Sequence, residues 1–362
     1  MAFVESRLLR ILPNGETVEV LKAGVSSSVS LVAVDDQNNL WLSGSVPITP
    51  DAPIRSCATC GAIAMFDASG NAVFGTASPV NADRSRVSNG VFYIGNSSAG
   101  AGEPTVAIVD RAAAPEPILA SISDVDPRGF SLVPGNVLAL NGGLIGPETD
   151  VYRPLDRNGH LATEVSGYRV LFDDHPAPIW AASRDRWVVQ VPIGNAEPWK
   201  TLTIVREGKP IVARPLVGAS ISGPIILAGP VLIDPSFVIR NEDGTANSLD
   251  NPAPLGSVVR FLVAGVGETD PPLVEGEVTH SALAKPKITP AVSFSLGTPL
   301  AEVISYQQAA DQPAGIMEMR VRLPRTFPAN DPARNAWSLF FVDPRLQFPV
   351  TSQFPLSIYV RQ

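Results

Sequence analysis

Two cysteines three positions apart, Cys57 and Cys60 in Ser-Cys-Ala-Thr-Cys-Gly, are the first residues whose type and spacing could do chemistry. A C-x-x-C pair can be a redox couple, half of a zinc site or a small local disulfide. Zinc needs two further ligands, and the three histidines of the chain, His160, His175 and His280, all lie far downstream. Haem attachment needs a histidine after the second cysteine, where Gly61 stands. A thioredoxin-type pair opens a helix after a strand, whereas this pair sits among Pro, Ser, Thr and Gly. The reading is a local disulfide between Cys57 and Cys60, or two thiols.

The other candidates are acidic or aromatic. Asp234, Asp243, Asn247 and Asp250 could supply oxygen ligands to calcium. Their spacing fits no EF-hand, and Asp-Gly and Asn-Ser are ordinary turn formers. Asp173-Asp174-His175, near Trp180, could hold a metal or act as an acid-base pair, but two carboxylates before Pro176 more often form an exposed hairpin tip. No G-x-S-x-G elbow is present. Nor is there a P-loop, or a G-x-G-x-x-G between a strand and a helix; Gly265-Val266-Gly267 lies among strand-formers. Trp41, Trp180, Trp187, Trp199 and Trp337 could make a sugar platform, though Trp187 in an alternating strand reads as core. The expectation is a chain with no catalytic, cofactor or metal site.

The elements that would carry such residues are strands. The chain has 35 prolines and 29 glycines among 362 residues, scattered without period. Proline at that density is incompatible with long helices, since an interior proline costs about 3 kcal/mol. Short apolar runs punctuated by Pro and Gly predict an all-β fold of several domains. The net charge of −8 and the absence of a Lys/Arg cluster argue against nucleic acid as a partner. No run approaches the length of a transmembrane helix; Ile225 to Ile233 reads as two buried strands around a Gly-Pro turn. Residues 1–10 show neither the charged nor the apolar region of a signal peptide.

Three sections follow. Residues 1–120 carry hairpins closed by Asp/Asn/Gly turns, clearest in Ser30 to Gly44 and Ala64 to Phe74. Residues 121–230 and 231–362 repeat one plan at an offset of about 120 residues. The segment from Pro134 parallels that from Leu255, the Tyr168 strand parallels Val292 to Leu296, and Val188 to Pro192 parallels Met319 to Pro324. A repeat of that length is a duplicated domain rather than a solenoid unit, and its strand spacing predicts two seven-strand, immunoglobulin-like sandwiches.

Two resemblances extend this reading. Val34 to Gly44 has the form Val-Asp-x-x-Asn-x-x-Trp-x-x-Gly and, with Phe66 to Asn71, resembles bacterial β-propeller repeats. About 120 residues would make two or three blades, fewer than a closed propeller needs. The third section resembles an uncharacterised immunoglobulin-like C-terminal domain family of secreted acidobacterial proteins. It does so through Asn241 to Ser248, Asn251-Pro252-Ala253, Gly256 to Val259, Gly265 to Pro272, Arg320 to Pro324 and Ile358 to Arg361. The second section resembles the half that precedes that domain, through Pro134-Gly135 and Gln190-Val191-Pro192. The resemblance implies export, against the absent signal peptide, and no chemistry. It leads to the expectation of a non-enzymatic extracellular or cell-surface protein with protein partners or self-assembly; the alternative is a carbohydrate-binding module or the non-catalytic tail of a hydrolase.

Overall fold

In a computed structural model of the chain, the described residues are 8–11, 14–21, 30–35, 37–55, 61–67, 69–78, 84–88, 91–95, 106–110, 116–124, 131–193, 199–216, 224–227, 238–280, 283–287, 291–293, 301–325, 336–342 and 356–361. Among them there is no α-helix, and the fold is all-β. Two compact units emerge. One comprises residues 1–121, 140–149 and 183–186; the other comprises 122–139, 150–182 and 187–362.

The first unit begins with the antiparallel pair β1 (Leu8–Ile11) and β2 (Thr17–Leu21). A four-stranded meander follows: β3 (Ser30–Val34), β4 (Leu40–Gly44), β5 (Gly61–Phe66) and β6 (Ala72–Ser78). A three-stranded sheet comes next, from β7 (Arg84–Ser88), β8 (Val91–Gly95) and β9 (Val106–Asp110). Alternation places Trp41, Ile63, Met65 and Phe74 on one face of the meander, in one apolar cluster with Phe92 of β8. Trp41 stacks on Phe92 with ring centroids 4.7 Å apart, a contact worth about 0.5–1.5 kcal/mol beyond its buried area. Leu42, Ala64 and Phe66 are buried on the opposite face.

The segment after β4 folds back over the open edge of β6. Thr49 N–H donates to Gly75 O at 3.0 Å, Gly75 N–H donates to Thr49 Oγ1 at 3.1 Å, and Ala77 N–H donates to Ile54 O at 2.9 Å. An edge that could otherwise template another chain is thereby occupied.

Nine strands follow: β10 (Ile118–Asp124), β11 (Val137–Gly143), β12 (Val151–Tyr152), β13 (Tyr168–Phe172), β14 (His175–Pro176), β15 (Ile179–Ser183), β16 (Arg186–Gln190), β17 (Thr201–Arg206) and β18 (Lys209–Pro215). They make one sheet in the order β10-β11-β16-β15-β12 and a second in the order β14-β13-β17-β18. Next come β19 (Ile225–Leu227), β20 (Ala253–Pro254), β21 (Val258–Ala264), β22 (Thr269–Asp270), β23 (Val278–Thr279) and β24 (Lys285–Pro286). The last six are β25 (Ala291–Ser293), β26 (Glu302–Gln308), β27 (Gln312–Pro313), β28 (Met317–Arg322), β29 (Ala336–Val342) and β30 (Leu356–Arg361). Their main sheets run β19-β21-β28-β26 and β20-β30-β29-β25, with two-stranded ribbons β22-β24 and β23-β27.

Set aside the two-residue strands, and the two halves have one strand order. β10-β11-β16-β15 corresponds to β19-β21-β28-β26, and β13-β17-β18 to β25-β29-β30. The local bonds agree as well. Gly135, at φ 80°, donates to Val191 O at 2.9 Å; Gly256, at φ 75°, donates to Pro324 O at 3.0 Å. Val191 N–H reaches Asn136 O at 2.7 Å, and Leu323 N–H reaches Ser257 O at 2.8 Å. Both glycines occupy the left-handed region that a side chain would strain. Of the run from Ile225 to Ile233, Ile225–Leu227 is the strand β19 and the remainder lies outside the described residues.

The two strand sets meet in a shared apolar cluster. Val137, Leu161, Trp180, Ala181 and Val188 from the first pack with Leu227, Ala264 and Ile316 from the second. Gln190, fully buried, crosses this seam: its Nε2 donates to Gly135 O at 3.1 Å and to Ala314 O at 2.9 Å. Leu161 N–H donates to Gly276 O at 2.7 Å, and Arg153 Nη2 donates to Asp311 O at 3.0 Å.

A side chain at Gly75 would drive its Cβ into the Pro47 carbonyl oxygen. Gly75→Ala is therefore expected to destabilise the first unit by about 1–3 kcal/mol through overpacking, measured as a fall in the denaturant midpoint. An unchanged midpoint would mean that the 47–54 segment does not lie on β6.

Candidate functional site

The acidic residues that could have done chemistry are mostly hairpin tips. At Asp35, the N–H donates to Asn39 O and the carbonyl accepts from Asn38 N–H, while Oδ1 accepts from Gln37 and Asn39 N–H at 3.0 and 2.8 Å. Asp67 repeats this with Asn71, Gly70 and Ser69, and Asp156 repeats it with His160, Gly159 and Asn158. The fourth residue of each tip, Asn38, Gly70 or Gly159, has positive φ. That explains Asn or Gly there, since both tolerate the left-handed region. The same tip occurs in both units, so the Val34-Asp35 motif reports hairpin closure wherever it stands. The Asp156 tip was not singled out in the sequence, although its Asp-x-x-Gly spacing carries the signal.

These bonds set the carboxylates' acidity. Burial pushes Asp35 up, but the hydrogen bonds from Asn39, Trp41 and Gln37 together hold it below the usual range. Asp67 and Asp156 are held low chiefly by the N–H groups of Asn71 and His160, and Asp243 by the hydroxyl and N–H of Thr245.

Of the residues considered for calcium, Asp243 and Asn247 belong to a clasp. Asp243 Oδ1 accepts from Thr245 N–H and Oγ1 at 2.9 and 2.6 Å. Asn247 Nδ2 donates to Asn241 Oδ1 and to Tyr359 O, and its Oδ1 accepts from Tyr359 N–H at 2.8 Å. The Asn247 amide thus pairs with both main-chain groups of Tyr359 in β30, as a neighbouring strand would. Asn251 Nδ2 donates to Thr245 Oγ1 and Ala246 O. Asp250 takes no part in these bonds, and Asp234 lies outside the described residues. Among the described residues no three His, Cys, Asp or Glu side chains converge on a point that could hold a metal.

Asp173 and Asp174 form the two-residue turn between Phe172 and His175, which are paired partners. Asp173, at φ 50°, accepts from Thr201 N–H at 2.9 Å. His175 lies edge-on to Trp199, ring centroids 5.1 Å apart. Trp41, Trp180, Trp187 and Trp199 are each no more than 3% exposed, so none offers a ring face to a sugar. Trp337 lies in β29, its side chain outside the described set. Cys57 and Cys60 also lie outside the described residues. His280 Nδ1 stands 2.9 Å from Asp311 Oδ1, but both side chains are more than three-quarters exposed, where such pairs contribute little. No described helix is long and apolar enough to cross a membrane.

What the structure adds is a surface on the outer face of β19-β21-β28-β26. Alternation buries Val259, Phe261, Met319 and Val321 and turns Arg260, Glu318 and Arg320 outward. Two shallow clefts adjoin there, of about 230 and 270 Å³, sharing Arg260 and Glu318 as a wall. Charged residues in two separated strands and one loop converge on it, a pairing that spacing along the chain does not reveal.

No protein-family model matches the chain, and no curated protein is significantly similar to it.

Three experiments test these assignments. Asn247→Ala leaves both main-chain groups of Tyr359 without a partner and is expected to cost about 1–3 kcal/mol, whereas Asp250→Ala is expected to be neutral. Added calcium is expected to leave the melting temperature unchanged; a rise that Asp243→Ala abolishes would establish a calcium site. The tip aspartates have folded-state pKa values below their unfolded ones, so their contribution is present above the unfolded value near 4 and is lost as pH falls through the lower, folded one. The urea midpoint is expected to be flat from pH 7 to about 5 and to fall below about 4, less steeply in Asp156→Asn. An acid slope unaltered by Asp156→Asn would remove that tip from the account.

Proposed function

We propose that the chain is a non-enzymatic structural or interaction protein of the cell surface or extracellular space. In this reading, propeller-derived strands precede a tandem of two immunoglobulin-like sandwiches. One observation carries it: the two halves share one strand order and are joined by a continuous apolar seam that Gln190 crosses. Lettered along the chain, each half reads A-B-E-D in one sheet and C-F-G in the other, the order of a constant-type immunoglobulin domain. The first unit supports the propeller reading through consecutive antiparallel meanders packed by Trp41 and Phe92.

Use of the candidate groups favours a structural role. The tip aspartates, the Asn247 amide and the Asp173 carboxylate all satisfy main-chain donors. Groups spent in this way are poor general acids or bases, because catalysis would require breaking the bonds that shape the loop. A tandem joined by a dry seam holds its two ends at a fixed separation, which suits a spacer or a platform for partners.

The test is protease shaving of intact cells that express the full chain. Release of peptides from residues 122–362 before lysis is expected. Protection until the cells are broken would contradict the surface assignment.

A further inference from the structure

We propose that the outer face of β19-β21-β28-β26 binds an acidic polysaccharide along a row of three arginines, Arg240, Arg260 and Arg320. Arg240 and Arg260 exchange both main-chain bonds, N–H to O at 2.8 and 2.9 Å, and Arg260 stands directly opposite Arg320 in the β21–β28 register. With neighbouring strands about 4.8 Å apart, the three side chains leave the sheet within about 10 Å of one another.

Like charges directly opposite one another disfavour a sheet, and nothing in the packing demands them at exposed positions. Their compensation is partial. Glu318 lies 3.6 Å from Arg260, and Arg240 Nη1 donates to Gly244 O at 3.1 Å. Arg320 is exposed, and its side chain has no ion-pair or hydrogen-bond partner among the described residues. Glu242 and Asp243 line the smaller cleft as well, where Glu242 Oε2 accepts from Val258 N–H and Asp243 accepts from Thr245. The row therefore keeps guanidinium donors in reserve, in the planar geometry that binds carboxylate two bonds at a time.

The adjoining clefts supply the rest of the recognition. The larger brings apolar surface from Val238, Leu262 and Ala310, none of them buried, beside the row. A chain of sugar acids matches both needs at once: carboxylates for the arginines and C–H ring faces for the apolar strip. The assignment goes beyond the spacer role and stands whether or not the protein is at the cell surface.

The test titrates polygalacturonate into the full chain at low and at physiological salt. Saturable binding that weakens with salt is expected. Arg240→Gln and Arg320→Gln should each weaken it about tenfold. Arg322→Gln lies on the same face, but Arg322 already pairs with Glu302 at 2.8 Å; it should change binding by less than about twofold. Unchanged melting temperatures in the three variants show that loss of binding is not loss of fold. No binding at low salt, equal losses at Arg320 and Arg322, or equally tight binding of polyglutamate would each overturn the proposal.

Discussion

The seam between the two halves of the second unit is the constraint on which much else depends. Gln190 sits at the end of β16, and its amide reaches the carbonyls of Gly135 and Ala314, one on each side. Around it, Trp180, Val188, Leu227, Ala264 and Ile316 exclude water. A neutral hydrogen bond contributes only about 0.5–1.5 kcal/mol net, so the amide does not hold the halves together by strength. It specifies how they meet, because a shift along the seam would leave buried carbonyls unpaired. The apolar cluster supplies most of the attraction.

Several local choices follow from this meeting. Gly315, at φ 90°, would set a Cβ 3.2 Å from Gln190 Nε2 and Ile193 Cδ1, closer than ordinary contact and in a region that strains a side chain. Gly276 lies against Leu161, whose N–H its carbonyl receives. Glu275 receives the Ile193 N–H at 3.2 Å; burial raises its pKa, against the pull of that bond and of nearby His175. Each lies where the two strand sets come within van der Waals contact. At the far end, the clasp of Asn241, Asn247 and Asn251 ties the loop after β19 to the last strand.

Much of this was legible in the sequence, for a stated physical reason. Alternation at Val258 to Ala264 and at Met317 to Arg322 marks strands because successive side chains face opposite sides. The Pro134 and Leu255 segments could be equated because both hold a left-handed glycine at the same step before a buried strand. Trp187 was read as core and is fully buried. Less legible was anything requiring distant segments to meet. The Asp and Asn residues of 243–250 suggested oxygen ligands, and only the register with Tyr359 shows Asn247 acting as a strand edge. The arginine row is likewise invisible in one dimension: Arg240, Arg260 and Arg320 become neighbours only through pairing. The Asp tip at Asp35 recurs at Asp156 in the other unit, so the tip by itself marks a closed hairpin.

Native-state hydrogen exchange across a denaturant series tests the seam most directly. The amides of Leu161, Val191 and Ala314 are expected to open with the same free energy as core amides of both halves, such as Val188 and Val321. A seam that opens first, with the two halves then exchanging at separate denaturant midpoints, would contradict the account of one body joined at Gln190.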